Sequence, residues 1–352
     1  MRKLLLLIAL IALPATADWP GWKIKAETSR FESHLGRNAL FLQKGEAWLD
    51  SARFTDGVIE FDVAAPAAPG FHGLAFRAAD HENYEEVYLR SHLSDQPDAT
   101  QYTPVFNGIW GWQIYAGPRY SLPCTIAADH WVHVRVVARG RRLELHVDGQ
   151  VLVFPEMVRT PAAGGIGINS SAGPAWFANV VVKPDEATTN AGGDGAPAAA
   201  LPEGLVTHWR VSNAFAESAI DPHDRSLRWD TLDAGPNGIV NLAMLRRRTD
   251  TTNTVFAAVT LHAEKRGVER VRFGFSDRVI VFLNGKRMYR GDDTFQTRDS
   301  RFLGTVGLFD ELDLPLEAGD NELWFAVSET FGGWAVMLQR ETKRPGVSGA
   351  SR

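Results

Sequence analysis

Short runs in which apolar and polar residues alternate with a period of two recur along the chain, set off by turns containing Gly, Asp and Asn. Val58-Ile59-Glu60-Phe61-Asp62-Val63 follows the turn signal Asp56-Gly57, and Gly73 to Phe76 forms the next run. After the turn-like Ala79-Asp80-His81-Glu82-Asn83 comes Tyr84 to His92. It places Glu86, Tyr88, Arg90 and His92 on one side and Val87 and Leu89 on the other. A strand presents successive side chains to opposite faces, so one face feeds a core and the other is polar and aromatic. Trp131 to Val137 and Leu143 to Val147 alternate in the same way, the second leading into Asp148-Gly149, a hairpin signal. Gly164 to Ile168 and Ala175 to Val182 read as two closing strands.

The second half repeats the pattern. Strands are expected near Val206–Val211, Gly238–Leu242, Thr254–His262, Val268–Phe275, Val279–Leu283, Glu322–Ser328 and Trp334–Gln339, with Asn284-Gly285 as the strongest hairpin turn. Between the halves, residues 183–204 are rich in Ala, Gly, Pro and Thr and offer almost nothing to bury. No segment has a convincing helical pattern. The expectation is an all-β protein of two β-sandwich (jelly-roll) domains, 18–182 and 205–341, joined by a flexible linker over 183–204. Residues 342–352 read as a disordered tail.

Residues 1–17 read as a cleavable signal peptide: Arg2 and Lys3, the apolar run Leu4 to Leu13, then Ala15-Thr16-Ala17 as the cleavage site. The apolar run is too short to span a bilayer, and no later stretch is long enough, so an exported, periplasmic or secreted protein without a membrane span is expected. Without Arg2 and Lys3 the chain has 35 Lys+Arg against 42 Asp+Glu, a net charge of −7 with no basic stripe, which argues against nucleic acid as a partner. Cys124 is the single cysteine, which excludes an intramolecular disulfide and zinc sites built from cysteine pairs.

Candidate chemistry concentrates between Tyr84 and Tyr115. Sugar sites combine flat rings, which stack on CH faces, with charged and amide groups, which bond hydroxyls. The candidate ligand-binding set is Arg77, Glu86, Tyr88, Arg90 and His92, with Asn107, Trp110, Trp112 and Tyr115 as a loop or rim. Arg77 enters because it ends the strand expected to pair with Tyr84–His92. Glu86 and His92 are the candidate acid and base, provided burial moves their pKa values toward neutrality. The blander reading is a wet sheet face of the usual antiparallel kind, with at least one indole in the core. Asp80, Asp95, Asp98, Asp292 and Asp293 could contribute to a structural calcium site, although no EF-hand spacing is present. No cofactor is required, and no P-loop, dinucleotide or zinc-protease motif occurs in its required context.

On FTDGVIEFDV (54–63), GLAFRAADHENYEEVYLR (73–90), WVHVRVV (131–137), LELHVDG (143–149), GGIGI (164–168) and AWFANVVV (175–182), the first half resembles the concanavalin A-like lectin/glucanase fold. Within it, the likeness is to the laminin-G-like, keto-glycoside-hydrolase-related branch. On GFSDRVIVFLNGKRMY (274–289) and LPLEAGDNELWFAV (314–327), the second half is similar to galactose-binding-like jelly rolls. The resemblance implies an oligo- or polysaccharide ligand and a concave sheet face as its site. Laminarinase-type members carry an E-x-D-x-E strand with two catalytic carboxylates; here Glu60-Phe61-Asp62-Val63-Ala64 lacks the last acid, which argues against that chemistry. The expectation is an exported carbohydrate-binding protein. Its alternatives are a periplasmic glycoside hydrolase or lyase acting on a modified sugar, and a protein-interaction module with a protein partner.

Overall fold

The computed structural model describes residues 19–185, 200–299 and 301–341, so the signal peptide, most of the linker (186–199) and the tail lie outside the described residues. The first half comprises β1 (Lys23–His34), β2 (Arg37–Phe54), β3 (Gly57–Ala64), β4 (Phe71–Asp80), β5 (Asn83–Leu89) and β6 (Thr100–Phe106). It continues through the short β7 (Ile109–Trp110) and β8 (Ser121–Leu122), then β9 (Val132–Arg139), β10 (Arg142–Val147), β11 (Gln150–Phe154) and β12 (Gly164–Pro184). The hairpin expected at Asp148-Gly149 is present, both residues having positive φ (45° and 82°) as a type I′ turn requires.

All twelve strands form one sheet, and β12 explains how it becomes a sandwich. Along one edge β12 pairs with β2; along the other it pairs first with β4 and then with β3. Its register shifts between Ser170 and Pro174 and again between Ala178 and Val181, and such bulges bend a strand. The arm β4-β5-β6-β7 therefore turns away from the arm β3-β9-β10-β11, and their apolar faces meet. Leu74, Phe76, Val87, Leu89 and Tyr102 pack there with Phe61, Val63, Val134, Val136 and Leu145. The two closing strands expected from Gly164–Ile168 and Ala175–Val182 are thus one, because the polar residues between them are absorbed as a bulge.

The second half holds β13 (His208–Ser212), β14 (Trp229–Asp233), β15 (Val240–Asn241), β16 (Thr254–Ala263) and β17 (Gly267–Ser276). After these come β18 (Arg278–Leu283), β19 (Lys286–Asp292), β20 (Asp310–Leu316), β21 (Gly319–Ser328) and β22 (Ala335–Arg340). A six-stranded sheet, β14-β13-β16-β21-β18-β19, faces a four-stranded sheet, β15-β22-β17-β20, across a core that includes Trp209, Phe273, Phe325 and Trp334. Asn284-Gly285 makes the tight β18–β19 turn with φ of 51° and 78°. The chain is all-β, with only three single-turn 3₁₀ segments among the described residues, and none of its helices is long and apolar enough to cross a membrane.

The halves interlock. Phe106 and Ile109 pack in the second core, and Ile239, Ala335 and Met337 pack in the first. Gln113, fully buried, donates its backbone N–H to Gly332 O (3.0 Å) and accepts from Val306 N (3.1 Å). Its side chain accepts from Ser276 Oγ (2.9 Å) and donates to Leu303 O (2.9 Å). At the borders of the expected linker, Lys183 and Pro184 complete β12, while Glu203 and Gly204 carbonyls accept from Gln339 and Arg340.

Candidate functional site

The outward side of β4–β6, opposite the core, is built from two cross-strand rows. One runs Trp48–Gly167–Ala75–Glu86–Thr103; the other runs Glu46–Asn169–Gly73–Tyr88–Gln101. The glycines are required by close approach. A Cβ on Gly73 would lie 2.8 Å from Glu86 Oε1, and one on Gly167 would lie 2.6 Å from the Trp48 ring. These gaps let Trp48 lie flat, stacked beneath His81 (4.4 Å, 10°), and let Glu86 reach Asn169, whose Nδ2 donates to Oε1 at 2.6 Å.

Glu86 is only 4% exposed, and burial pushes its carboxyl up to about 7, with Glu46 adding like-charge repulsion; bonds from Asn169 and Trp110 oppose the rise. The Glu46 carboxylate makes no hydrogen bond or ion pair among the described residues, although its backbone is paired with β1 and β12. Two buried donors on the Glu86 row, Trp48 Nε1 and Thr103 Oγ1, also lack partners. Trp110 stands at the edge with its indole 47% exposed and its Nε1 donating to Tyr84 Oη at 3.1 Å. Chemically, the two rows offer a buried carboxyl raised by burial, a second carboxylate and an amide, with an open aromatic plate beside them.

Several expected site residues do other work. Arg77 sits in a bulge with positive φ, and its guanidinium is buried against Thr55 O, Asp56 Oδ1 and Gly140 O, so it clamps a turn rather than facing Glu86. Tyr88 and Arg90 share the Glu86 face but are saturated: Arg90 donates to Tyr88 Oη (2.9 Å) and Gln101 Oε1 (2.6 Å), and Tyr88 donates to Gln101 (2.7 Å). Gln101 in turn donates to Trp112 O and Tyr115 O, so this network holds the 111–115 loop. Tyr115 is buried in the main core beside Tyr120 and accepts from Asn241 Nδ2. Trp112 packs edge-on against Phe295 and Phe331 of the second half, and Asn107 donates to Ala243 O there. Both are junction residues, because the loop that carries them crosses between the halves.

His92 lies in the 3₁₀ turn after β5, not on the strand. Its Nδ1 accepts from Gly70 N at 3.3 Å, and burial together with Arg90 lowers its pKa. Its ring meets Phe71, whose other neighbour is Tyr88, so the structure gives no direct partnership with Glu86. Glu60 and Asp62, the remnant of the E-x-D pattern, are on the other arm. Glu60 pairs with Lys183 and Arg135; Asp62 is held by Arg37 (2.5 Å), His133 (2.8 Å) and Asn179 (2.6 Å). That is an ion network, not a catalytic strand.

The aspartates considered for calcium are dispersed on protein partners. Asp80 receives Glu82 N and Asn83, Asp95 receives Thr125, Asp98 pairs with Arg90, Asp292 receives Thr294 N, and Asp293 pairs with Arg298. No cluster of three or more His, Cys, Asp or Glu is placed to hold a metal among the described residues.

No family model matches the chain, and no curated protein matches it. Solved structures do, over the N-terminal half alone. The carbohydrate binding module CBM66 from Bacillus subtilis is 18% identical, with a TM-score of 0.35 over 46% of this chain and 93% of that one. Bacillus licheniformis beta-glucanase is 14% identical, with a TM-score of 0.35 over 47% and 94%. The VIP36 exoplasmic/lumenal domain, in its Ca2+/Man3GlcNAc-bound form, is 14% identical, with a TM-score of 0.32 over 48% and 89%. At this level of likeness no chemistry is transferred from them.

Sequence reasoning missed Glu46, Trp48, Gln101, Thr103 and Asn169. Three lie on β2 and β12, which are remote in sequence and meet the Tyr84–Leu89 strand only through the sheet order. It also missed Glu85, on the core side of β5. There burial raises the carboxyl to about 7, and it accepts from Tyr102 Oη at 2.5 Å.

Proposed function

We propose that this is an exported carbohydrate-binding protein whose ligand meets the outward face of β4–β6 at Trp110 and Glu86. The observation that carries the reading is the open indole of Trp110, in register with Val105 and Tyr84, beside the row whose buried groups, Glu86, Thr103 Oγ1 and Trp48 Nε1, retain unfilled hydrogen-bonding capacity. An exposed ring supplies a stacking surface for a pyranose, and adjacent polar groups with spare valence supply orientation. Titration of the mature protein with oligosaccharides, alongside Trp110→Ala and Glu86→Gln, tests this. Loss of affinity in both variants is expected; unchanged affinity in both overturns the assignment. Export is part of the same reading and predicts Asp18 as the N-terminus of the mature protein.

Glycoside hydrolysis is the second reading, favoured by the raised Glu86 carboxyl with the unpaired Glu46 acting on it electrostatically. One protonated acid and one ionised carboxylate are what glycosidic cleavage uses. Under this reading Glu86 protonates the leaving oxygen, Glu46 serves as the second carboxylate, and Glu86→Gln abolishes turnover while preserving binding.

A further inference from the structure

Glu46 and Glu86 are two carboxyls on one face that no cationic side chain neutralises among the described residues. Glu46, half-buried on β2, is opposite Asn169 on β12, and Glu86 reaches Asn169 from the other side, across Gly73. Burial raises the Glu86 carboxyl, and Glu46 raises it further. The neighbouring Tyr84 hydroxyl is pushed up by burial first, then by Glu86, with Glu46 adding a smaller share. Two cations on this side of the sheet do not supply the missing charge. Arg90 is spent on Tyr88, Gln101 and Asp98, and Lys25, opposite Glu46 in the β1–β2 register, makes no ion pair with it.

Three acceptors adjoin at Asn169. Its Nδ2 donates to Glu86 Oε1 at 2.6 Å, while its own Oδ1, 3.1 Å from where a Cβ on Gly73 would lie, has no donor among the described residues. The Glu46 carboxylate has none either, and Glu86 keeps lone pairs beyond those that Asn169 and Trp110 use. A primary ammonium carries three N–H donors and no acceptor, which matches Glu46, Glu86 and Asn169 Oδ1 one for one. Aromatic rings border the acids: Tyr84 meets Trp48 at 5.2 Å, and Trp110 Nε1 donates to Tyr84 Oη. Such rings attract cations and stack on CH groups. Two further groups point to what carries the amine. Trp48 Nε1 and Thr103 Oγ1, in residues no more than 2% exposed, lack any partner. Both are donors that an ammonium cannot satisfy, so the ligand must bring oxygen acceptors as well.

We infer that Glu46, Glu86 and Asn169 form a subsite for a protonated primary amine, borne by a hydroxyl-rich ring that lies against Trp110. This rests on the binding reading above and adds a charge requirement to it: the ligand is an amino sugar with its amine free, not the neutral hydroxyl or N-acetyl counterpart. A lysine side chain brings the amine but no oxygen for Trp48 Nε1 and Thr103 Oγ1. An N-acetyl group brings an oxygen but no charge, and it leaves both carboxyls desolvated without a counter-ion.

The probes are the β-1,4-linked trimers of glucosamine, N-acetylglucosamine and glucose, with Nα-acetyl-lysine amide as an amine without a ring. Each is titrated calorimetrically, near neutral pH and at low ionic strength, into the mature full-length protein, Glu46→Gln and Trp110→Ala. Wild type is expected to bind the glucosamine trimer about tenfold or more tighter than the other three probes, the worth of one charge-assisted contact. Glu46→Gln is expected to erase that preference, and Trp110→Ala to weaken all three trimers. Equal affinity of wild type for the glucosamine and glucose trimers overturns the amine subsite; loss of both in Trp110→Ala then leaves the broader reading standing. A preference that survives in Glu46→Gln overturns the subsite as well. Binding of the lysine amide as tight as that of the glucosamine trimer overturns the ring as carrier of the amine. Absence of binding by wild type to all four probes overturns both this inference and the reading it rests on.

Discussion

Asn169 reaches Glu86 across the space left by Gly73: its amide donates to Oε1 at 2.6 Å, and a Cβ on Gly73 would sit 2.8 Å from that same oxygen. The candidate carboxyl therefore owes its position to a missing side chain on the strand between. Gly73→Ala is expected to cost about 1–3 kcal/mol through overpacking. It should also reduce ligand affinity, because Glu86 or Asn169 must move. Urea denaturation and oligosaccharide titration of the same sample check both; a variant with normal affinity would show that the contact is structural only.

The buried carboxyls make stability depend on pH in an unusual direction. Glu329, 1% exposed and beside Asp277, is raised to about 8 by burial, and Glu85 and Glu86 to about 7, against a usual 4.5. The folded state keeps protons that the unfolded chain releases, so this contribution is complete below about pH 4.5 and is lost as pH rises through the folded values. His72 acts oppositely: burial lowers it to about 4 from 6.5, so it favours folding as pH rises, but only up to 6.5. Between pH 6.5 and 8 the decline should therefore stand uncovered, with Glu329 contributing about 2 kcal/mol. Chemical denaturation at both pH values should show a fall in wild type that is reduced by roughly half in Glu329→Gln, the remainder coming from Glu85 and Glu86.

Asp62→Ala is expected to destabilise by about 1–2 kcal/mol, since it removes the buried acceptor shared by Arg37, His133 and Asn179, which water can reach in its place. It should leave oligosaccharide affinity unchanged. Altered affinity would return the Glu60–Asp62 strand to consideration as a site.

Gln113→Ala removes the acceptor of Ser276 Oγ and the donor to Leu303 O inside a closed junction. A loss of about 2–3 kcal/mol is expected from the unsatisfied groups. Greater protease sensitivity of the 293–306 loop, read by mass spectrometry, should accompany it. An unchanged digestion pattern would contradict the role assigned to this side chain.

How much of this was legible in the chain depended on whether one face of a strand is wet. β10 keeps a clean alternation and β9 keeps one over Val132–Val136, whereas β16, β18 and β21 stand out as apolar runs; Asp148-Gly149 and Asn284-Gly285 mark turns unambiguously. β6 escaped because Thr100 to Phe106 is buried on both faces, which erases the period of two. β1 escaped because most of its residues stay exposed against β2. At the site, alternation correctly put Glu86, Tyr88 and Arg90 on one face. It could not show that Arg90 and Tyr88 are spent on Gln101, nor that Glu46 and Asn169 arrive from strands 40 and 83 residues away. Arg77 failed for a local reason: a bulge rotates its side chain out of register, and nothing in the residue type announces a bulge.

Phe106, Ile109 and Gln113 belong by sequence to one half and by packing to the other. Any attempt to dissect the protein into two recombinant fragments at residues 186–199 would therefore strip apolar cover from both. An isolated first fragment would carry Phe106, Ile109 and an unsatisfied Gln113 on its surface beside Trp110. It would then be sticky for reasons unrelated to its ligand, so experiments on specificity need the undivided chain.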